Sequence, residues 1–199
     1  MARDLAGTRA FFAERAARWD VRFSEDGPQY ERAATEVPLG RGATVLDAGC
    51  GTGRALPYLR AAVGEQGRLI AVDVTPEMLD VARPAASATG AALLLADAMA
   101  LPLRDGSVDA VFAAGLVPHL DDVTAGLREL ARVARPRAVL AVFHPVGRAT
   151  LAARHGSAPS DEHALAPARL PGLLAASEWR LVDLDDAADR YLAVATRAG

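Results

Sequence analysis

From about residue 43 to residue 143 the chain alternates short apolar runs with longer stretches of helical periodicity. One run starts at Val45 and ends at Asp47, and a second spans 68–73. A third starts at Leu93 and ends in Asp97-Ala98, a fourth starts at Ser107, and a fifth occupies 138–143. Runs this apolar, bounded by Gly, Pro and Asp, are the signature of strands buried on both faces rather than of half-exposed strands, which alternate. Between them, Thr75 fits a helix N-cap with Pro76 at the first helical position, and Asp121-Asp122 fit the cap of a later helix. A β-α-β-α succession predicts a parallel sheet with helices on both faces. Right-handed crossovers then bring the carboxyl ends of the strands to one rim.

Two regions lie outside this alternation. Residues 1–36 are expected to form a helical cap, since 5–35 has helical periodicity with Phe11, Phe12, Trp19 and Phe23 and breaks at Gly27-Pro28. We expect it to act as a lid over the rim. Residues 144–172 carry His, Gly and Pro around a short helical piece near 149–154, and read as an insertion in the core of 37–199. The last two runs, 179–184 and 191–197, are separated by Asp-Asp-Ala-Ala-Asp and read as strands.

Composition narrows the class. The chain has 199 residues, 51% of them hydrophobic and 24% charged, with a formal net charge of −3. That is enough to bury a full core in one domain. No apolar stretch approaches the ~20 residues of a membrane helix, and no signal-peptide pattern opens the chain, so a cytoplasmic location without membrane contact is expected. Arginines interspersed with Asp and Glu argue against a nucleic-acid partner, which calls for a basic stripe. Cys50, the single cysteine, cannot form an internal disulfide and reads as a small spacer. No residue pattern indicates a metal site or an oligomeric state.

The most informative string is Val-Leu-Asp-Ala-Gly-Cys-Gly-Thr-Gly at 45–53. Gly49, Gly51 and Gly53 allow a tight turn and a close main-chain approach to a ligand. A dinucleotide fingerprint, G-x-G-x-x-G, would place its third glycine at position 54, which is Arg, so a nicotinamide oxidoreductase is disfavoured. The G-x-G-x-G spacing after Asp47 resembles motif I of the class I S-adenosylmethionine-dependent methyltransferases. Further stations follow in that family's order. These are the strand ending at Asp73 with Val74-Thr-Pro-Glu-Met78 behind it, Asp97-Ala98-Met99, the strand leading to Ala114-Gly115, and the helix and turn at 127–136.

The resemblance implies a Rossmann-like, doubly wound sheet of seven mostly parallel strands with an antiparallel final strand. It also implies S-adenosylmethionine as cofactor, S-adenosylhomocysteine as product and a methyltransferase activity. On this reading Asp73 accepts hydrogen bonds from the two ribose hydroxyls, and Asp97 with Ala98 contacts the adenine. Met78 packs on the adenine side near Val74. Asp47, at the base of the loop, orients backbone donors or meets the methionine amino group through water. Gly49, Cys50, Gly51, Gly53, Ala114 and Gly115 complete the cofactor wall, while Arg54 reads as a solvated first-turn arginine.

Methyl transfer needs positioning above all, with a general base where the acceptor still carries its proton. The base candidates are His144, at the end of strand five, and His119, beyond strand four, where Pro118 replaces the first member of the family's histidine pair. Trp19 and Tyr30 are candidates for contact with a small-molecule acceptor. One departure concerns the turn before strand five, where the family's two glycines are replaced by Arg137 and Ala138 after Pro136. The alternative to catalysis is an accessory protein that binds the cofactor without transferring its methyl group.

Overall fold

The computed structural model describes residues 5–199. Three helices open it: α1 (Leu5–Ala13), α2 (Ala16–Arg22) and α3 (Gly27–Glu36). The core then runs β1 (Thr44–Ala48), α4 (Leu56–Val63), β2 (Arg68–Asp73), α5 (Pro76–Thr89), β3 (Ala92–Leu95), β4 (Val108–Ala114), α6 (Val123–Val133) and β5 (Ala134–His144). It closes with α7 (Arg148–Arg154), α8 (Leu170–Ala175), β6 (Trp179–Ala187) and β7 (Arg190–Arg197). The seven strands form one sheet in the order β3-β2-β1-β4-β5-β7-β6. Strands β1 to β5 pair in parallel, and β7 runs antiparallel to both β5 and β6.

The apolar runs are explained by burial on both faces. In β1, Val45 belongs to the apolar cluster on one side of the sheet, with Leu59, Phe112 and Phe143, while its neighbour Leu46 belongs to the cluster on the other, with Leu130, Leu140 and Trp179. The strand order reverses between β1 and β4, and the carboxyl ends of these two strands flank the crevice where open α/β sheets bind ligands.

Four local expectations are revised. β3 stops at Leu95, so Asp97 stands beyond the strand in a turn, where its Oδ1 accepts from Met99 N at 2.8 Å. Thr75 takes the N-cap place of α5 but its hydroxyl makes no capping bond. Asp185 and Asp186 belong to β6 rather than to the connection, because Arg190 pairs with the first at 2.7 Å and Arg148 with the second at 3.3 Å. The β5 turn forms without glycine: Arg137 itself adopts φ 67°, and the β4–β5 register shifts around it. A left-handed backbone costs a side-chain-bearing residue ~1–2 kcal/mol, so this turn is strained rather than lost.

Candidate active site

The glycine loop is held by main chain first. Gly49 N and Cys50 N both donate to Val72 O, at 2.8 and 2.9 Å, which pins the loop to the tip of β2. Gly49, Gly51 and Gly53 have φ of 70°, 53° and 80°. A Cβ on Gly49 would sit 3.1 Å from Leu116, whereas one on Gly51 would meet nothing closer than the Met78 sulfur at 4.0 Å. The main chain at Gly51 is therefore open to the cleft. Gly53 differs from its expectation: it does not line the cleft, and a Cβ there would press on Leu56 and Ala82, so this glycine lets α4 and α5 pack.

Asp73, at the tip of β2, does work that the sequence reading gave to Asp47. Its Oδ2 accepts from Gly51 N at 2.9 Å and its Oδ1 from Thr75 N at 2.8 Å, joining the loop to the start of α5. A carboxylate oxygen can accept more than one hydrogen bond, and Asp73 lines the cleft. Burial raises its pKa, and the bonds from Thr75 and Gly51 oppose that rise. Asp47 orients no donors: it is 1% exposed and neither oxygen has a hydrogen-bond partner. Burial, with the Asp73 charge adding to it, pushes the Asp47 carboxyl up to about 8. Nine-tenths or more of buried polar groups are bonded, so this bare carboxyl facing a cleft is a place for a ligand donor. Cys50 is buried and its thiol pKa is pushed well up by burial, in keeping with a spacer.

One cleft of about 970 Å³ collects most of the predicted residues. Asp47, Gly49, Cys50, Gly51, Asp73, Val74, Met78, Asp97, Ala98, Ala114 and Gly115 line it on the sheet side. Trp19 and Tyr30 line it from the opening helices, and His119 and His144 from beyond β4 and β5. Small-molecule sites span ~300–1,000 Å³, and this cleft lies at the upper end of that range.

The opening helices are fastened to the glycine loop and the β2 tip by side-chain bonds that the sequence pattern does not reveal. Arg54 is not solvated: its side chain is 15% exposed, donates to Phe23 O and to Asp26 at 3.2 Å, and lies over the Tyr30 ring at 5.1 Å. Thr52 donates to Asp20 at 2.5 Å, and Arg9 on α1 donates to Val74 O at 2.9 Å. Tyr30 also packs edge-on against Phe143 at 4.9 Å, and burial raises its pKa.

The far lobe of the cleft carries the imidazoles. His119 stands edge-on to Phe12 at 5.0 Å, and burial, then the neighbouring His144, lowers its pKa. His144 is also held below its ordinary value, chiefly by burial. Its Nδ1 lies 2.7 Å from Val146 O and 3.1 Å from Val146 N. The carbonyl contact calls for a hydrogen on Nδ1 and the Val146 N–H contact for a bare Nδ1; in the tautomer that the shorter contact favours, Nε2 is the basic nitrogen. Helix α7 reaches this lobe because Gly147 presses on the β6–β7 connection, where a Cβ would overlap Ala187 O at 1.7 Å. The Arg148 side chain, 11% exposed, then bonds Asp186 and Ser160 O.

Comparison with known proteins agrees with this architecture. A family model described as a methyltransferase domain matches residues 46–142. The malonyl-[acyl-carrier protein] O-methyltransferase of Serratia marcescens is 38% identical over 130 residues, covering 59% of this chain and 49% of that protein. The demethylmenaquinone methyltransferase of Shouchella clausii is 40% identical over 104 residues, covering 51% and 44%. The chain thus spans about half the length of these curated relatives. A crystal structure of an S-adenosylmethionine-dependent methyltransferase from Aquifex aeolicus superposes with a TM-score of 0.71 at 29% identity, covering 85% of this chain and 89% of that one. The family match, the relatives and the fold together support a class I S-adenosylmethionine-dependent methyltransferase.

The family's cofactor fits the donor set. Its ribose diol needs a paired acceptor at a strand tip and its ammonium needs a carboxylate. Asp73 and the unpartnered Asp47 offer these in one cleft, beside a turn that is open to close approach at Gly51. Among the described residues no cluster of His, Cys, Asp or Glu has the arrangement of a metal site, and no helix is long and apolar enough to cross a membrane.

Proposed function

We propose that the chain transfers the methyl group of S-adenosylmethionine to a small-molecule acceptor by in-line displacement. The observation that carries this reading is the orphaned Asp47 carboxyl, which faces the same cleft as the Asp73 tip and the open Gly51 main chain. Bound there, S-adenosylmethionine supplies a methyl group on a positively charged sulfur that leaves as a neutral thioether. The chain's own residues hold and orient the partners. Asp73 grips the ribose, the Asp97-Ala98 turn borders the adenine, and Asp47 takes the ammonium.

In the other lobe His144 Nε2 receives the proton of the acceptor. The acceptor's lone pair forms the new bond to the methyl carbon, and the electron pair of the broken C–S bond leaves with the sulfur. His119 borders the same space from the β4 side, where its unprotonated form adds a second acceptor. Trp19, Phe12 and Tyr30 exclude water above the reacting atoms. The curated relatives named for malonyl and menaquinone substrates support an acceptor of small-molecule type. A cytoplasmic location, without nucleic-acid or membrane contact, accords with this reading.

The direct test is calorimetric titration with S-adenosylhomocysteine, followed by product formation from S-adenosylmethionine over phenols, enols, amines and carboxylates. Binding with turnover of one class is expected. Tight binding with no turnover of any class would favour the accessory role, and absence of binding would end both.

A further inference from the structure

All four histidines of the chain, His119, His144, His155 and His163, line the one large cleft, and they gather in the lobe away from the glycine loop. That lobe also contains two arginines of α7, and they are in different states. Arg148 is compensated by Asp186 at 3.3 Å and by Ser160 O at 2.7 Å. Arg154 lines the same cleft and, among the described residues, has no hydrogen-bond or ion-pair partner. Its charge is nonetheless felt inside the lobe, where it disfavours protonation of His144. An exposed cation at a cleft also lined by imidazoles and by the apolar Leu151 and Leu165 is complementary to an anion on an apolar body.

Resting on the methyltransferase reading above, we propose that the acceptor is a small hydroxy acid whose carboxylate seats on Arg154 while its hydroxyl meets His144. The two groups have separate tasks. A carboxylate is already ionised at neutral pH and needs no base, whereas a hydroxyl must lose its proton to become a good nucleophile. The oriented Nε2 of His144 therefore belongs with the hydroxyl, and the uncompensated guanidinium with the carboxylate, to which an Arg fork binds in two parallel bonds. The product is then a methyl ether of the acid and not its methyl ester. Anion binding also offsets the Arg154 field, which adds to the larger effect of burial in holding His144 down.

The test uses the full chain saturated with S-adenosylhomocysteine and two matched probe pairs: 4-hydroxybenzoate with 4-hydroxybenzamide, and 3-(4-hydroxyphenyl)propionate with its amide. Trp19 lines the cleft and Trp179 is buried in the core, so quenching of the fluorescence reports occupancy without requiring turnover. In at least one pair the acid should bind about five- to tenfold tighter than the amide at low ionic strength, the scale of a partly screened charge-assisted bond. Arg154→Gln should bring the two within about twofold, and Arg154→Lys should restore part of the preference. Equal binding of acid and amide, a preference that survives Arg154→Gln, or no quenching by any probe would overturn the proposal. A methyl ester product would overturn it as well. S-adenosylhomocysteine titrated alone keeps the two readings apart: full affinity for it with no acid preference sinks only the hydroxy-acid assignment.

Discussion

The two lobes of the cleft are built by different physics. On the cofactor side, Gly49, Cys50 and Gly51 are fixed by main-chain bonds to Val72 and by the Asp73 carboxylate, all within the paired tips of β1 and β2. On the acceptor side, His119, His144 and Arg154 come from a single 3-10 turn, a strand end and a short helix. They are brought together by contacts such as Gly147 against Ala187 and Tyr191 Oη donating to Leu165 O at 3.0 Å. The first lobe is a property of the sheet. The second is a property of what has been laid over it, so substitutions in the two should fail in different ways.

The largest effect is expected in the acceptor lobe. His144→Gln keeps a side chain of similar reach but supplies no base, and turnover should fall by ~10²–10⁴ while S-adenosylhomocysteine affinity stays within a few-fold. The pH profile gives the sign independently. A base whose pKa is lowered by burial is unprotonated over the neutral range, so in the native chain kcat/KM for the acceptor at saturating S-adenosylmethionine should drop only on the acid side of the ordinary histidine value. Steady-state kinetics from pH 5 to 8 should show that limb in the native chain and not in His144→Gln. A variant with unchanged turnover would remove His144 from the chemistry.

Asp73→Ala should affect the other lobe. It removes the ribose acceptor and also frees Gly51 N and Thr75 N, so the loop loses a support together with the ligand. Affinity for S-adenosylhomocysteine should fall by about 1.5–3 kcal/mol, the scale of charge-assisted bonds, with the fold retained in circular dichroism. An unchanged calorimetric Kd would take Asp73 out of the ribose site.

The contrast also explains how far the residues could be read in advance. The place of Asp73 at a strand tip was legible because it closes an apolar run inside one β-α-β unit, although its bonds to Gly51 and Thr75, 22 and 2 positions away, were not foreseen. Arg54 was not, because Asp26 and Phe23, 28 and 31 positions away, belong to helices whose placement no local periodicity encodes. Asp185 and Asp186 reasonably suggest a turn by composition, and only their pairing with Arg190 and Arg148 makes them tolerable in a strand. Gly53 shows a subtler gap. Its spacing marks it as part of the loop, but spacing alone does not say whether the missing Cβ makes room for a ligand or for the neighbouring helix.

Asp47 sharpens the comparison through pH. Its carboxyl is held near 8 in the cofactor-free protein, so between the ordinary carboxylate value of 3.8 and about 8 the folded chain carries a proton the unfolded chain lacks. The sign follows: this contribution to stability is complete at low pH and is lost as pH rises through that window. A cofactor ammonium favours the ionised form, so binding expels the proton. S-adenosylhomocysteine affinity should therefore tighten with rising pH up to about 8, by at most ~10-fold per unit. Asp47→Asn should flatten that slope and weaken binding throughout, as followed by calorimetry in buffers of different ionisation enthalpy. A native slope of zero, with no proton released, would mean that no cation reaches Asp47.

The smallest effect is expected at the opposite edge of the sheet and serves as the control for both lobes. Arg137 lies near the amino end of β5, whereas His144, at the other end of the same strand, faces the cleft. Its φ of 67° is comfortable for glycine and strained for arginine. Arg137→Gly relieves ~1–2 kcal/mol of backbone strain but gives the unfolded chain more freedom, a loss of ~0.4–1 kcal/mol. The net should be a gain of roughly 0.5–1 kcal/mol, a rise of a few degrees in Tm for a chain of this size. Neither S-adenosylhomocysteine affinity nor turnover should move. If they do, the edge beneath β5 communicates with the cleft, and the two lobes do not stand on an inert scaffold.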